Sequence, residues 1–203
     1  MSKPYKALDF GCGKDKVQGS VGVDCVALDG VDIVHDMKKL PYPFESNSID
    51  KIYCKHVLEH FDADVRKSIL EEIHRILKNG GQLEIRVPHV FSPGAFHDPT
   101  HKSFFTFNTM DYFTKGYKFS YYSNAKFKII ERWANIQLFY DLSNKESKLV
   151  HFLNSFSANI FNKIFTFSNS LPDYLTKILP FYVVEIKWVL RKEDMREEPK
   201  EIN

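Results

Sequence analysis

Apolar residues in the first ninety positions come in short runs, and each run stops at a glycine, an aspartate or a histidine. Lys6–Phe10 (KALDF) reads as a buried strand ending at Gly11-Cys12-Gly13. Val21–Asp24 is a second strand, Val31–Val34 a short third closing at His35-Asp36, and Asp50–Cys54 a fourth followed by Lys55-His56. Short apolar runs bounded by turn formers predict strands buried on both faces. Between the third and fourth lies Leu40-Pro41-Tyr42-Pro43-Phe44, a loop stiffened by two prolines. The period changes over Asp62–Lys78, where Val65, Ile69, Ile73, Ile76 and Leu77 share one face of a helix. Asp62 is placed to cap that helix and Asn79-Gly80-Gly81 to stop it. Gln82–Val87 (QLEIRV) returns to strand and ends at Pro88.

This alternation predicts an α/β fold on a mostly parallel sheet. Ligands of such sheets sit beyond the carboxyl ends of the strands. The polar residues there are Gly11–Gly13, Asp24, Asp36, Lys55-His56 and His89. The second half reads differently. Val90–Tyr122 is rich in Phe, Tyr, His and Gly and predicts an elaborated loop with short helices. Phe127–Leu142 predicts a long strand or hairpin arm, and Lys148–Phe167 an amphipathic helix carrying Leu149, Phe152, Phe156, Ile160 and Ile164. A short helix between Pro172 and Pro180 and a final strand, Tyr182–Leu190, complete the pattern before a charged tail, residues 191–203. The chain is thus read as one domain, with residues 1–90 a cofactor-binding half and 91–190 a substrate or cap half.

Composition narrows the function. A net charge of +2 over 203 residues gives no push toward nucleic acid or an anionic membrane. No stretch approaches the ~18 apolar residues of a membrane span. The polar N-terminus has no run suited to a signal peptide. Three cysteines, Cys12, Cys25 and Cys54, without CxxC spacing fit reduced thiols in the cytoplasm rather than a disulfide framework.

A nucleoside cofactor asks three things of a parallel sheet: a glycine bend after the first strand, a carboxylate after the second to accept the ribose hydroxyls, and a polar contact for the base after the third. Asp9-Phe10-Gly11-Cys12-Gly13, Asp24 and Asp36-Met37 stand at those places. A nicotinamide dinucleotide fits less well: Lys16 occupies the position of the third fingerprint glycine, and the seven residues Lys14–Ser20 leave little room for a helix to face a pyrophosphate. No GK[ST] phosphate loop occurs.

The stretches LDFGCGKDKVQGSVGVD, VDIVHDMKKLPYPFESNSIDKIYCKHVLEHF and ILEEIHRILKNGGQLEIRVPH resemble a class I SAM-dependent methyltransferase, of the predicted kind associated with surface-polysaccharide gene clusters; FHDPTHKSFFT is also similar to that group. The resemblance covers Ala7–His89. It implies a Rossmann-like, mostly parallel seven-stranded sheet with a shortened first helix, an aromatic-rich helical cap in the C-terminal half, and S-adenosylmethionine as cofactor. Asp9, Gly11, Cys12 and Gly13 would surround its methionyl part, Asp24 would hold the ribose, Asp36 and Met37 would flank the adenine, and His56 would lie near the transferring methyl group.

Methylation of a hydroxyl needs alignment and a base. Of eight histidines, His101 and His97 in HDPTH, and then His56, are the candidates for base or acceptor binding. HDPTH also reads as a turn started by Asp98-Pro99. His74, within the long helix, is read as a surface residue. His89, His97, Asp98 and His101 could offer metal donors, but no helical HxxxH or HExxH is present and no metal site is assigned. Nucleic-acid amino-methylation is disfavoured, because Cys54-Lys55-His56-Val57 replaces an Asn/Asp-Pro-Pro-aromatic run. The expected activity is O-methylation of a small molecule or glycan, with a homodimer as an option for the Phe-rich face. The rival reading is a non-catalytic nucleoside-binding scaffold.

Overall fold

The computed structural model describes residues 5–137 and 182–193, together with Ser155. Seven strands form one sheet: β1 (Ala7–Phe10), β2 (Val21–Asp24), β3 (Ile33–Val34), β4 (Ile49–Lys55), β5 (Leu77–Pro88), β6 (Phe127–Gln137) and β7 (Tyr182–Lys192). Their spatial order is β3-β2-β1-β4-β5-β7-β6. The first five run parallel, and β7 is antiparallel to both β5 and β6. The chain leaves β1 toward one edge and leaves β4 toward the other, so the order reverses between these two strands. That reversal opens a crevice at their carboxyl ends.

β1 sits in the middle because it can: Leu8, Asp9 and Phe10 have no exposed surface. The main helix, α1 (Ala63–Ile76), lays Ile69, Leu70, Ile73 and Ile76 against the sheet. It is shorter than the sequence predicts. Asp62 stands at the cap position without a capping hydrogen bond and instead accepts from Lys102 Nζ at 3.0 Å. Leu77 already has extended backbone angles and begins β5, pairing with Ile49 before the register shifts. On α1, Glu72 accepts the Tyr42 amide at 2.7 Å, and Arg75 donates to the Phe44 carbonyl at 2.9 Å, which pins the proline loop to the helix.

Several expectations need correction. Residues 11–20 hold only turns, so the first helix is absent rather than shortened. Parallel strands usually need a helical crossover; here aspartates stitch the connections in its place. Asp9 Oδ2 accepts the Val17 amide at 2.8 Å, Asp24 Oδ2 accepts the Gly13 amide at 2.9 Å, and Asp32 Oδ2 accepts both the Gly22 amide and Lys16 Nζ at 2.7 Å. Lys16, whose position argued against a dinucleotide, is thus part of the stitching. The last strand also runs farther than predicted. Arg191 and Lys192 belong to β7, and Lys192 is buried, donating to the Leu77 carbonyl and to Asn47 Oδ1, each at 2.8 Å. Burying that lysine is tolerable because two acceptors receive its protons. His74 is not a surface residue. It is half-buried, donates from Nε2 to the Lys126 carbonyl at 3.1 Å and meets Phe127 edge-on, and burial pushes its pKa down to about 4. The amphipathic helix predicted for Lys148–Phe167, the short helix before Pro180 and the tail beyond Glu193 lie outside the described residues, as does the predicted strand past Gln137.

Candidate functional site

A cavity of 390 Å³ opens past the carboxyl ends of β1 to β4. Gly11 follows β1, Asp24 ends β2, Asp36 and Met37 follow β3, and His56 and Val57 follow β4; all of them line it. The wall also includes Cys25, His35, Lys38, His60 and Phe61. The volume is within the range of small-ligand pockets.

Each element delivers its residue for a local reason. Gly11 has φ +65°, a region other residues enter at a cost, and an added Cβ would lie 2.5 Å from Val57 Cγ2. The bend therefore packs directly on the segment after β4. Asp24 spends one oxygen on the Gly13 amide and the other on the Val26 amide at 3.1 Å. A carboxylate has about four acceptor positions, so Asp24 keeps capacity for two further donors. Asp36 accepts the Lys38 amide at 3.0 Å, and the Met37 carbonyl accepts the Tyr42 hydroxyl at 3.1 Å. Those bonds fix the rim after β3, where His35 stands edge-on to Tyr42.

Not every expected cofactor residue reaches the cavity. Cys12 is buried, with its thiol turned to the Gly13 carbonyl. Asp9 lies beneath the bend, fully buried, with Lys55 Nζ 3.6 Å from Oδ2 and no partner for Oδ1. Burial pushes its pKa up. Neither lines the cavity wall, nor does Gly13; all three shape the turn from which Gly11 does.

The histidines divide sharply. His56 adopts φ +52°, unusual for a residue with a side chain. Its Nε2 lies 2.8 Å from Glu185 Oε1 of β7, and its Nδ1 lies 3.5 Å from Glu59 Oε1. The hydrogen-bonded Glu185 carboxylate, and then the nearby Glu59 carboxylate, raise its pKa to about 9. It is an imidazolium at neutral pH. His101 is buried, and its Nδ1 lies 3.0 Å from the Ala95 carbonyl. A carbonyl only accepts, so Nδ1 carries a proton, and in the neutral ring Nε2 keeps its lone pair. His101 packs edge-on to His60, with ring centres 4.8 Å apart, and His60 lines the cavity. His97 is exposed at the end of α2 (Pro93–His97) and belongs neither to the cavity wall nor to the His60–His101 pair. His89 is fully buried at the end of β5, where its Nδ1 accepts the Phe91 amide at 3.2 Å. The HDPTH segment does form the turn: Asp98 Oδ1 accepts the Thr100 amide at 2.8 Å and its hydroxyl at 2.6 Å.

Sequence reasoning missed Glu59. It is 1% exposed and sits in a single 3₁₀ turn, Leu58–His60, directly after the β4 rim. The only signal available was its position in VLEHF, three residues after His56.

Comparison with known proteins agrees with this layout. Residues 8–85 match the family model described as a methyltransferase domain. A SAM-dependent methyltransferase from Archaeoglobus fulgidus superposes with a TM-score of 0.58 at 18% identity, over 93% of this chain and 86% of that one. A second, from Thermotoga maritima, gives 0.56 at 16% identity, over 95% and 84%. The [4+2]-cyclase SpnF gives 0.51 at 15% identity, over 93% and 74%. At such identities the likeness is one of fold. No match is found among curated proteins.

Proposed function

We propose that this chain is a class I SAM-dependent methyltransferase that takes S-adenosylmethionine as its cofactor and methylates a hydroxyl of a small molecule or glycan. The observation that carries this reading is the convergence of Gly11, Asp24, Asp36 and His56 on one cavity at the strand-order reversal. The residues fit the cofactor: an acceptor-rich carboxylate at the end of β2, a bend with no side chain, and a cation at the end of β4. Asp24 would accept the ribose hydroxyls, Asp36 and Met37 would flank the adenine, and the Gly11–Gly13 bend, braced by Asp9 and Cys12, would border the methionyl part. When bound, S-adenosylmethionine supplies a methyl group on a cationic sulfur.

The remaining residues suit an acceptor. His56, cationic at neutral pH, is matched to an anionic group such as the methionyl carboxylate rather than to proton abstraction. His97 is too far out on the surface to serve the cavity. His101 keeps an unprotonated Nε2 and lies against His60 on the cavity wall, so the acceptor hydroxyl is assigned to this corner. The three free cysteines suit a reducing compartment such as the cytoplasm. Among the described residues no helix is long and apolar enough to cross a membrane.

The test is calorimetry with S-adenosylhomocysteine together with methyl transfer to fractionated glycans and small metabolites. Binding plus transfer is expected, and His101→Ala should lower turnover while leaving the cofactor affinity alone. SpnF shows that this fold also carries other chemistry; binding without transfer to any fraction would favour the scaffold reading.

A further inference from the structure

We infer that Glu59, His60 and His101 form a binding site for a divalent first-row transition ion at the edge of the cofactor cavity. One donor atom from each of the three residues lies within 4.8 Å of the other two. Donors about 2.0–2.2 Å from a common ion are roughly 3–3.5 Å apart, so closing on an ion needs only a small contraction of this ring.

The independent sign of a missing partner is Glu59. Its side chain is 2% exposed, and neither carboxylate oxygen has a hydrogen bond. The nearest ring nitrogens stand back, His56 Nδ1 at 3.5 Å and His101 Nε2 at 4.0 Å. Leaving a buried carboxylate unsatisfied is costly, and a cation between it and the imidazoles removes that cost.

The surrounding bonds also set both histidines as ligands. His101 donates from Nδ1 to the Ala95 carbonyl, which leaves Nε2 to ligate. His60 Nδ1 lies 2.9 Å from Thr100 Oγ1, and that hydroxyl gives its own proton to Asp98 Oδ1 at 2.6 Å. The hydroxyl therefore accepts from His60, whose Nε2 keeps the lone pair. Orientation of a ligand imidazole through its other nitrogen is a recurring property of metal sites. Asp98 Oδ2, 4.0 Å from His101 Nε2, stands at the margin. The HDPTH turn thus positions ligands. Of the four residues that the sequence offered as donors, only His101 belongs to the triad.

Two imidazoles and one carboxylate leave coordination positions open, as sites that act on substrates do. An oxygen of the acceptor could fill one and be polarised there. This consequence rests on the proposed methyltransferase reading; ion binding does not.

The test therefore measures ion binding by itself. The full chain, stripped with EDTA, is titrated calorimetrically with Zn²⁺ and, separately, Mn²⁺, without cofactor. One ion per chain at about 10 μM or tighter is expected, weakened about ten-fold or more in Glu59→Gln and His101→Gln, while S-adenosylhomocysteine affinity stays within about two-fold of wild type. In the wild-type chain, Mn²⁺ should broaden the His60 and His101 imidazole signals before those of His74, a result independent of whether the variants fold. If the wild type takes up neither ion, or the variants bind as tightly, the site is refuted and Glu59 is simply the counter-charge of His56. If ions bind at the triad but S-adenosylhomocysteine does not bind, the cofactor reading fails and the ion site stands.

Discussion

The two sides of the cavity are built by different means. On the cofactor side, carboxylates bind amides close by in the chain: Asp9 reaches 8 residues ahead to Val17, Asp24 11 back to Gly13, and Asp32 10 back to Gly22. On the histidine side the partners are remote: His60 and Thr100 are 40 residues apart, and His56 and Glu185 are 129 apart. The first side is a set of turns each specified by its own residues. The second exists only once β5, β7 and the HDPTH turn have assembled. Changes on the first side should therefore act on local geometry, and changes on the second on protonation state.

The largest expected effect breaks the cofactor side. Gly11→Ala puts a Cβ against Val57 at a φ of +65° and should destabilise the fold by roughly 2–4 kcal/mol, read as a lower melting temperature with lost S-adenosylhomocysteine binding. Adding Val57→Ala should return the packing part of the loss and leave the backbone part. If the single variant melts like wild type, the bend is not the tight point described. Next comes Asp24→Ala, which should weaken S-adenosylhomocysteine by about ten-fold or more through lost hydrogen bonds to the sugar, measured by calorimetry. Unchanged affinity there would remove Asp24 from the ribose role.

Two smaller effects sharpen the histidine side and its surroundings. Glu185→Gln should bring the His56 pKa down from about 9 toward 6.5, followed by NMR titration. Because the folded pKa is the higher one, this ion pair contributes stability below pH 6.5 and loses it as pH rises through about 9; the variant should flatten that alkaline limb. His74 has the opposite sign. Its ring takes up a proton near 6.5 when unfolded and only near 4 when folded, so its contribution is present above 6.5 and lost as pH falls toward 4. His74→Gln keeps a donor for the Lys126 carbonyl and should lessen acid destabilisation between those values, seen in melting curves. An unaltered acid limb would mean that other groups govern it.

What could be read in advance follows the same division. The strand ends, the glycine bend, Asp24 and Asp36 were legible because each is an abrupt stop in an apolar run, and strand ends collect on one side of a parallel sheet by geometry alone. The main helix was legible from its period, although its end was not: Leu77 satisfies the helical spacing equally well but pairs with Ile49 as strand. The missing first helix could not be seen, because nothing in Lys14–Ser20 announces that Asp9, Asp24 and Asp32 will supply the bonds of a crossover. His56 as a cation was equally hidden, since its charge depends on Glu185. Glu59 lies in a sequence that would read as ordinary polar surface, and only packing shows that it is buried. Lys192 was taken for tail because a lysine is rarely interior, and the two acceptors that admit it come from Asn47 and Leu77.

Asp24 has one further consequence. The carboxylate at the end of β2 is also the latch on the Gly13 amide, so any donor that draws on its oxygens acts on the bend as well. Under the proposed ribose role, a ligand lacking the sugar hydroxyls would forfeit its contacts and leave the Gly13 latch undisturbed, so discrimination between ribose and deoxyribose should register in the amide-exchange rate of Gly13 as well as in affinity.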